Sequence, residues 1–315
     1  MISETTTLLT LSLYLAALTY FIGVLIYMLP LPFKGLKEWG PTLIKDAIYV
    51  TVWISIYNYV LGFAQGMLTA FGTSWNNYLS YLGSEETSLG EIYLYILFLY
   101  FLTYLPQLIQ SYWKIDLTSL TGIILFVASF LINFFLGGII HNIQDLLKSL
   151  ASETLNIIFF LIVLQTISLL IYKGAPILIV LGILLMSLPF RIGRRAGSMF
   201  IATALVFYIG IPLMPVVLKP FYYMTAGQPP SFYISVLQGL MINPFAFVRS
   251  APFLLSMIRF EIEDLTIAYF IFLATLVFGV GDLIGVATAT EIIELQSHLK
   301  YKAGVIDDDD EDEED

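Results

Sequence analysis

Long hydrophobic runs separated by short polar stretches make up nearly the whole chain. Leu8 to Met28 carries no charged residue. At about 1.5 Å of rise per residue such a run crosses a hydrocarbon core about 30 Å thick, so it predicts the first transmembrane helix. Ala47–Phe71, Ile92–Tyr112, Leu117–Ile140 and Leu155–Tyr172 predict four more. Pro106 should kink the third, because neighbouring helices in a membrane can satisfy the freed carbonyl. Ser198–Leu218 is a further span, bent near its end by Pro212 and Pro215, and Leu265–Ala289 is the last. The pattern predicts an all-α polytopic membrane protein with about seven transmembrane helices (range six to eight), some of them broken or re-entrant.

The polar stretches set the topology. Pro30, Pro32 and Pro41 should break the chain after the first span, and Lys34, Lys37 and Lys45 make this loop cytoplasmic by the positive-inside rule, with the N-terminus outside. Gly72–Gly90, with Glu85 and Glu86 and no basic residue, reads as an external loop. A short turn is expected around Lys114 and Asp116, and a mixed-polarity connector or an interfacial helix over His141–Glu153. Lys219–Tyr233 reads as loop. Ala175–Phe190 has only 16 residues, just short of a full span. A full crossing would put the arginines after it outside, against the positive-inside rule, whereas a re-entrant segment, or one helical element formed with its neighbour, returns them to the cytoplasm, the favoured arrangement. Phe232–Ile258 is interrupted by Asn243, Pro244, Arg249 and Pro252, which leaves open a broken helix, a re-entrant hairpin or an interfacial helix with Arg249 reaching the headgroups. After the last span, Ile292, Leu295 and Leu299 share a helical face, and Lys300, Lys302 and Gly304 are stop signals. Residues 1–304 therefore read as a single transmembrane domain, and residues 305–315 as a disordered acidic tail.

Composition supports the membrane assignment: 58% of residues are hydrophobic, 12% are charged, and the mean hydropathy is +0.86. The net charge of −10 comes from the run of acids at Asp307–Asp315, and the remainder is close to neutral. The first residues lack the basic start and small-residue cleavage pattern of a secretory signal, so the chain is expected to keep its N-terminus. With no cysteine, and with His141 and His298 far apart, no metal site and no cofactor is expected. No phosphate-binding loop, zinc-protease pair or nucleophile elbow occurs, and no enzymatic activity is expected.

Four features could carry function. Arg191, Arg194 and Arg195 stand between two apolar runs, and a permanent cation is costly in hydrocarbon. They belong either at a membrane surface, as topological anchors, or along a protein-lined aqueous path, where the guanidinium fork suits phosphate. Asp282 lies deep in the last span, where an ionisable residue needs a partner, a proton or water. It suits a secondary transporter or ion channel. It also completes Gly279-Val280-Gly281-Asp282, a GxGD pattern similar to that of intramembrane aspartyl proteases, although that chemistry needs a second carboxyl. Gly62 with Gly66, and Gly281 with Gly285, have the small-xxx-small spacing that lets helices approach closely.

The segment Leu188–Pro215, LPFRIGRRAGSMFIATALVFYIGIPLMP, resembles the corresponding region of the CedA family, polytopic membrane subunits of the crenarchaeal DNA-import system. More distantly it is similar to the VirB6 and TrbL subunits of conjugative type IV secretion. This resemblance implies a non-enzymatic channel subunit in the cell membrane, assembled with small two-span membrane subunits in a hetero-oligomer. A separate HerA/VirB4-like ATPase, CedB, would drive it. DNA would be the transported substrate, with Arg191, Arg194 and Arg195 as candidate phosphate contacts.

Overall fold

A computed structural model describes residues 2–29, 34–112, 120–189, 193–225 and 227–286. The acidic tail, the turn around Lys114 and Asp116, and the face formed by Ile292, Leu295 and Leu299 lie outside the described residues. Eight α-helices follow one another: α1 (Ile2–Met28), α2 (Lys34–Ala70), α3 (Trp75–Tyr112), α4 (Leu120–Met186), α5 (Arg194–Thr225), α6 (Pro230–Leu240), α7 (Pro244–Arg259) and α8 (Leu265–Val286). A π-helical turn, Phe260–Asp264, joins α7 to α8. There is no strand among the described residues. Among the described residues, six helical stretches are long and apolar enough to cross a membrane, the lower end of the expected range. Many large apolar side chains on them, such as Tyr14, Phe21, Tyr59 and Phe63, are exposed, as a surface facing lipid requires.

Several expected loops are helical, for physical reasons the composition concealed. The stretch 72–90 is a loop only over Gly72–Ser74 before α3 begins. Tyr78, Leu82, Glu85, Leu89, Ile92, Ile96 and Leu99 recur at alternating steps of four and three, and all are buried. A stripe of that period runs straight through the polar sequence and holds it helical. The stretch 141–153, expected as a mixed-polarity connector or an interfacial helix, is helical throughout. Leu147, Leu150, Thr154, Ile157, Leu161, Leu164 and Ser168 form one buried stripe inside α4. The run from Ala175 continues this same helix as far as Met186, so that part forms one element with the neighbouring run before it. Helix α5 extends to Thr225, over part of the loop expected from Lys219.

The break expected at Pro41 is also absent, since α2 passes through it. A proline clashes with the Cβ of the residue before it in a helix, and here that residue is Gly40, which has none. The chain reverses at Gly72 instead, whose φ of 72° suits glycine. The Thr73 amide donates to the Leu68 carbonyl there and closes the end of α2. The interruption expected near Asn243 is real: α6 stops at Leu240, and the Asn243 side chain accepts from the amides of Phe245 and Ala246 to start α7.

The chain divides into two compact units. Unit 1 comprises 1–74, 170–213 and 270–315, and unit 2 comprises 75–169 and 214–269. In unit 1, α1 packs along α2. In unit 2, α6 packs on α7 and on α3.

Candidate functional site

The site in unit 1 is built on two close helix crossings. A Cβ placed on Gly23 of α1 would lie 2.9 Å from the Gly40 carbonyl oxygen of α2, and one on Gly40 would lie 3.0 Å from that of Gly23. The end of α4 meets the start of α5 in the same way through Gly182 and Gly197. Each pair brings two backbones together where any side chain would hold them apart. Gly281 and Gly285 of α8 lie against Met199 and Ser198 of α5. Around Gly62 and Gly66 of α2, by contrast, an added Cβ would meet open space.

These crossings set Arg194, at the start of α5, beside Asp46 of α2 and the end of α8. Its Nη1 donates to Asp46 Oδ1 at 3.3 Å, and its Nη2 donates to the carbonyl of Gly285. The Tyr49 hydroxyl donates to the Ile284 carbonyl at 2.9 Å. Both carbonyls belong to α8. Thr19 donates to Ser187 O at 3.2 Å, just past the end of α4. Arg194 thus answers an acid and a backbone carbonyl at once. Its side chain and that of Asp46 are each only 10% exposed.

The adjoining cavity, about 10 Å³ and lined by Thr19, Leu43, Asp46, Tyr49, Met186 and Arg194 among others, is the size of a single water. It has no room for a nucleotide. Arg195, next in sequence, is exposed, and Arg191 lies outside the described residues. The structure therefore divides the arginine group: Arg194 is turned inward to Asp46, while Arg195 is open to a partner. Asp282 is exposed on α8. Among the described residues there is no cluster of three or more His, Cys, Asp or Glu side chains able to hold a metal.

Sequence reasoning missed Asp46, 148 positions from Arg194, because it lies at the edge of a span, where acids are ordinary. It also missed Glu85 and Glu261 of unit 2, which are buried at 6% and 0% exposure. Glu85 could have been found from the stripe of α3, where it occupies a position that apolar residues hold on either side.

Fold and composition define a polytopic all-α membrane protein with no strand among its described residues. The DNA import protein CedA of Sulfolobus acidocaldarius is 32% identical to this chain over 253 residues, covering 74% of this chain and 84% of the relative. The family model for the DNA import protein CedA1 matches residues 1–69, the stretch that forms α1 and nearly all of α2. The chain belongs to the CedA family of DNA import proteins. No solved structure matches it.

Proposed function

We propose that this chain is a membrane channel subunit of a DNA-import machine related to conjugative type IV secretion, and that it has no enzymatic activity of its own. The observation that carries this reading is the 32% identity to a DNA import protein over 253 residues, a length greater than either unit alone. The machine sits in the cell membrane, with the N-terminus of this subunit outside. It joins small two-span membrane subunits in a hetero-oligomer and is driven by a separate HerA/VirB4-like ATPase, CedB.

Within this reading the arginines have different tasks. Arg194 fixes the meeting point of α2, α5 and α8 through Asp46 and Gly285. The exposed Arg195, with Arg191 four positions before it in sequence, is the candidate phosphate contact. Contacts of this kind are independent of base sequence and weaken with salt. The test is a DNA-uptake assay in cells whose only copy carries Arg191→Gln and Arg195→Gln. Uptake should fall at least tenfold, while membrane insertion and co-purification with the motor ATPase persist. Unchanged uptake would remove the arginines from the DNA path, and failure of the chain to co-purify with any ATPase would remove the machine.

A further inference from the structure

Unit 2 holds an ionisable group that the DNA-import reading does not use. Glu261 lies in the π-helical turn between α7 and α8 and is 0% exposed. Both of its carboxyl oxygens are buried without a hydrogen-bond partner among the described residues. π-helical turns inside longer helices concentrate at functional sites. This one closes with the Leu265 amide donating to the Phe260 carbonyl, and Glu261 and Ile262 within it are both buried.

The groups facing Glu261 come from several helices. Tyr81 of α3, Tyr222 of α5 and Tyr233 of α6 are all within its electrostatic reach. Tyr78 and Glu85 of α3 join the same group through Tyr81 and Tyr222, and Tyr269 of α8 joins through Tyr78. On the turn itself, Arg259 is engaged at 3.0 Å by Glu263 and is largely exposed, and Asp264 is exposed. The titratable groups that feel Glu261 directly are thus phenols, none of which is a cation. An isolated carboxylate in such a place would cost so much that the group takes a proton or a counter-ion instead.

We propose that Glu261 is a proton-binding site in the membrane-embedded part of unit 2. The ligand is a proton rather than a metal ion. The chain offers no set of three acidic or imidazole ligands among its described residues, and a single buried acid can be neutralised by one hydron without further donors. This inference concerns the local chemistry of unit 2 and stands independently of whether the machine carries DNA.

Infrared difference spectroscopy on the full-length protein in lipid nanodiscs tests it, because a protonated carboxyl has a carbonyl stretch well separated from carboxylate bands. At neutral pH the wild type should show this band, Glu261→Gln should lose a clear part of its intensity, and the partly exposed control Glu263→Gln should not. Band intensity unchanged by Glu261→Gln overturns the proposal. So does collapse of the wild-type band on adding sodium or potassium chloride at fixed pH, since a metal ion would then occupy the site. If Glu261→Gln does not yield a monodisperse protein, Glu261→Asp serves: the shorter acid should shift the band, and an unshifted band overturns the proposal equally.

Discussion

Asp46 of unit 1 and Glu261 of unit 2 are both acids withdrawn from solvent, yet they answer the cost of burial in opposite ways. Asp46 has a guanidinium at 3.3 Å, itself bonded to a backbone carbonyl of α8, so it faces a group of opposite charge. Glu261 has no such partner, and its surroundings are phenols. Burial alone therefore says little about what an acid does in this chain. The sign of its nearest neighbour decides whether it fastens helices together or takes up a proton.

The sharpest way to break that comparison is to make both acids apolar. Asp46→Leu leaves Arg194 buried beside a hydrocarbon side chain, and stranding one member of a buried pair costs about 3–5 kcal/mol. The expected outcome is a large drop in thermal stability, read by size-exclusion chromatography after heating in detergent. Adding Arg194→Met to Asp46→Leu should recover most of the loss, because two apolar groups of similar volume replace an ion pair at little net cost. If the double variant is no better than the single one, the pair is not what holds this junction.

Glu261→Met should act in the opposite direction. Removing a buried acceptor that has no partner relieves about 1–3 kcal/mol, and methionine fills nearly the same space. If Glu261→Met lowers the stability of the detergent-purified protein instead, the Glu261 carboxyl has a partner in the folded chain.

Much of the fold was legible because the membrane imposes a coarse pattern. The runs at Leu8–Met28, Ser198–Leu218 and Leu265–Ala289 all fall on helices, at least as far as the described residues extend. Hydropathy alone failed where helices pass through polar sequence, as at 75–90 and 141–153. There a buried stripe with steps of three and four outweighs the polar composition, and Glu85 and Gln144 are themselves carried inward. The arginine group was visible as chemistry that needed an explanation, but its partner was not. Asp46 and Arg194 are brought together only when Gly182–Gly197 and Gly23–Gly40 let four helices close up, and no local spacing records that.

The glycines give the smallest of these contrasts and the most discriminating one. A Cβ on Gly197 would fall against the Gly182 carbonyl and 3.0 Å from the Met186 amide nitrogen, both of which are backbone and cannot swing aside. Gly197→Ala should therefore cost about 1–3 kcal/mol as the α4–α5 crossing is forced apart. Gly62 has the spacing signature with Gly66 but nothing within 4 Å. Gly62→Ala should be neutral or raise the stability of the isolated chain by up to about 1 kcal/mol, since alanine favours the helix. Both variants can be read by the same thermal assay. The second has a further use: if Gly62→Ala leaves the isolated chain intact but weakens its co-purification with other membrane subunits, the open face of α2 at Gly62 and Gly66 is where a neighbouring subunit's helix packs. If it weakens the isolated chain itself, that face is already occupied from within.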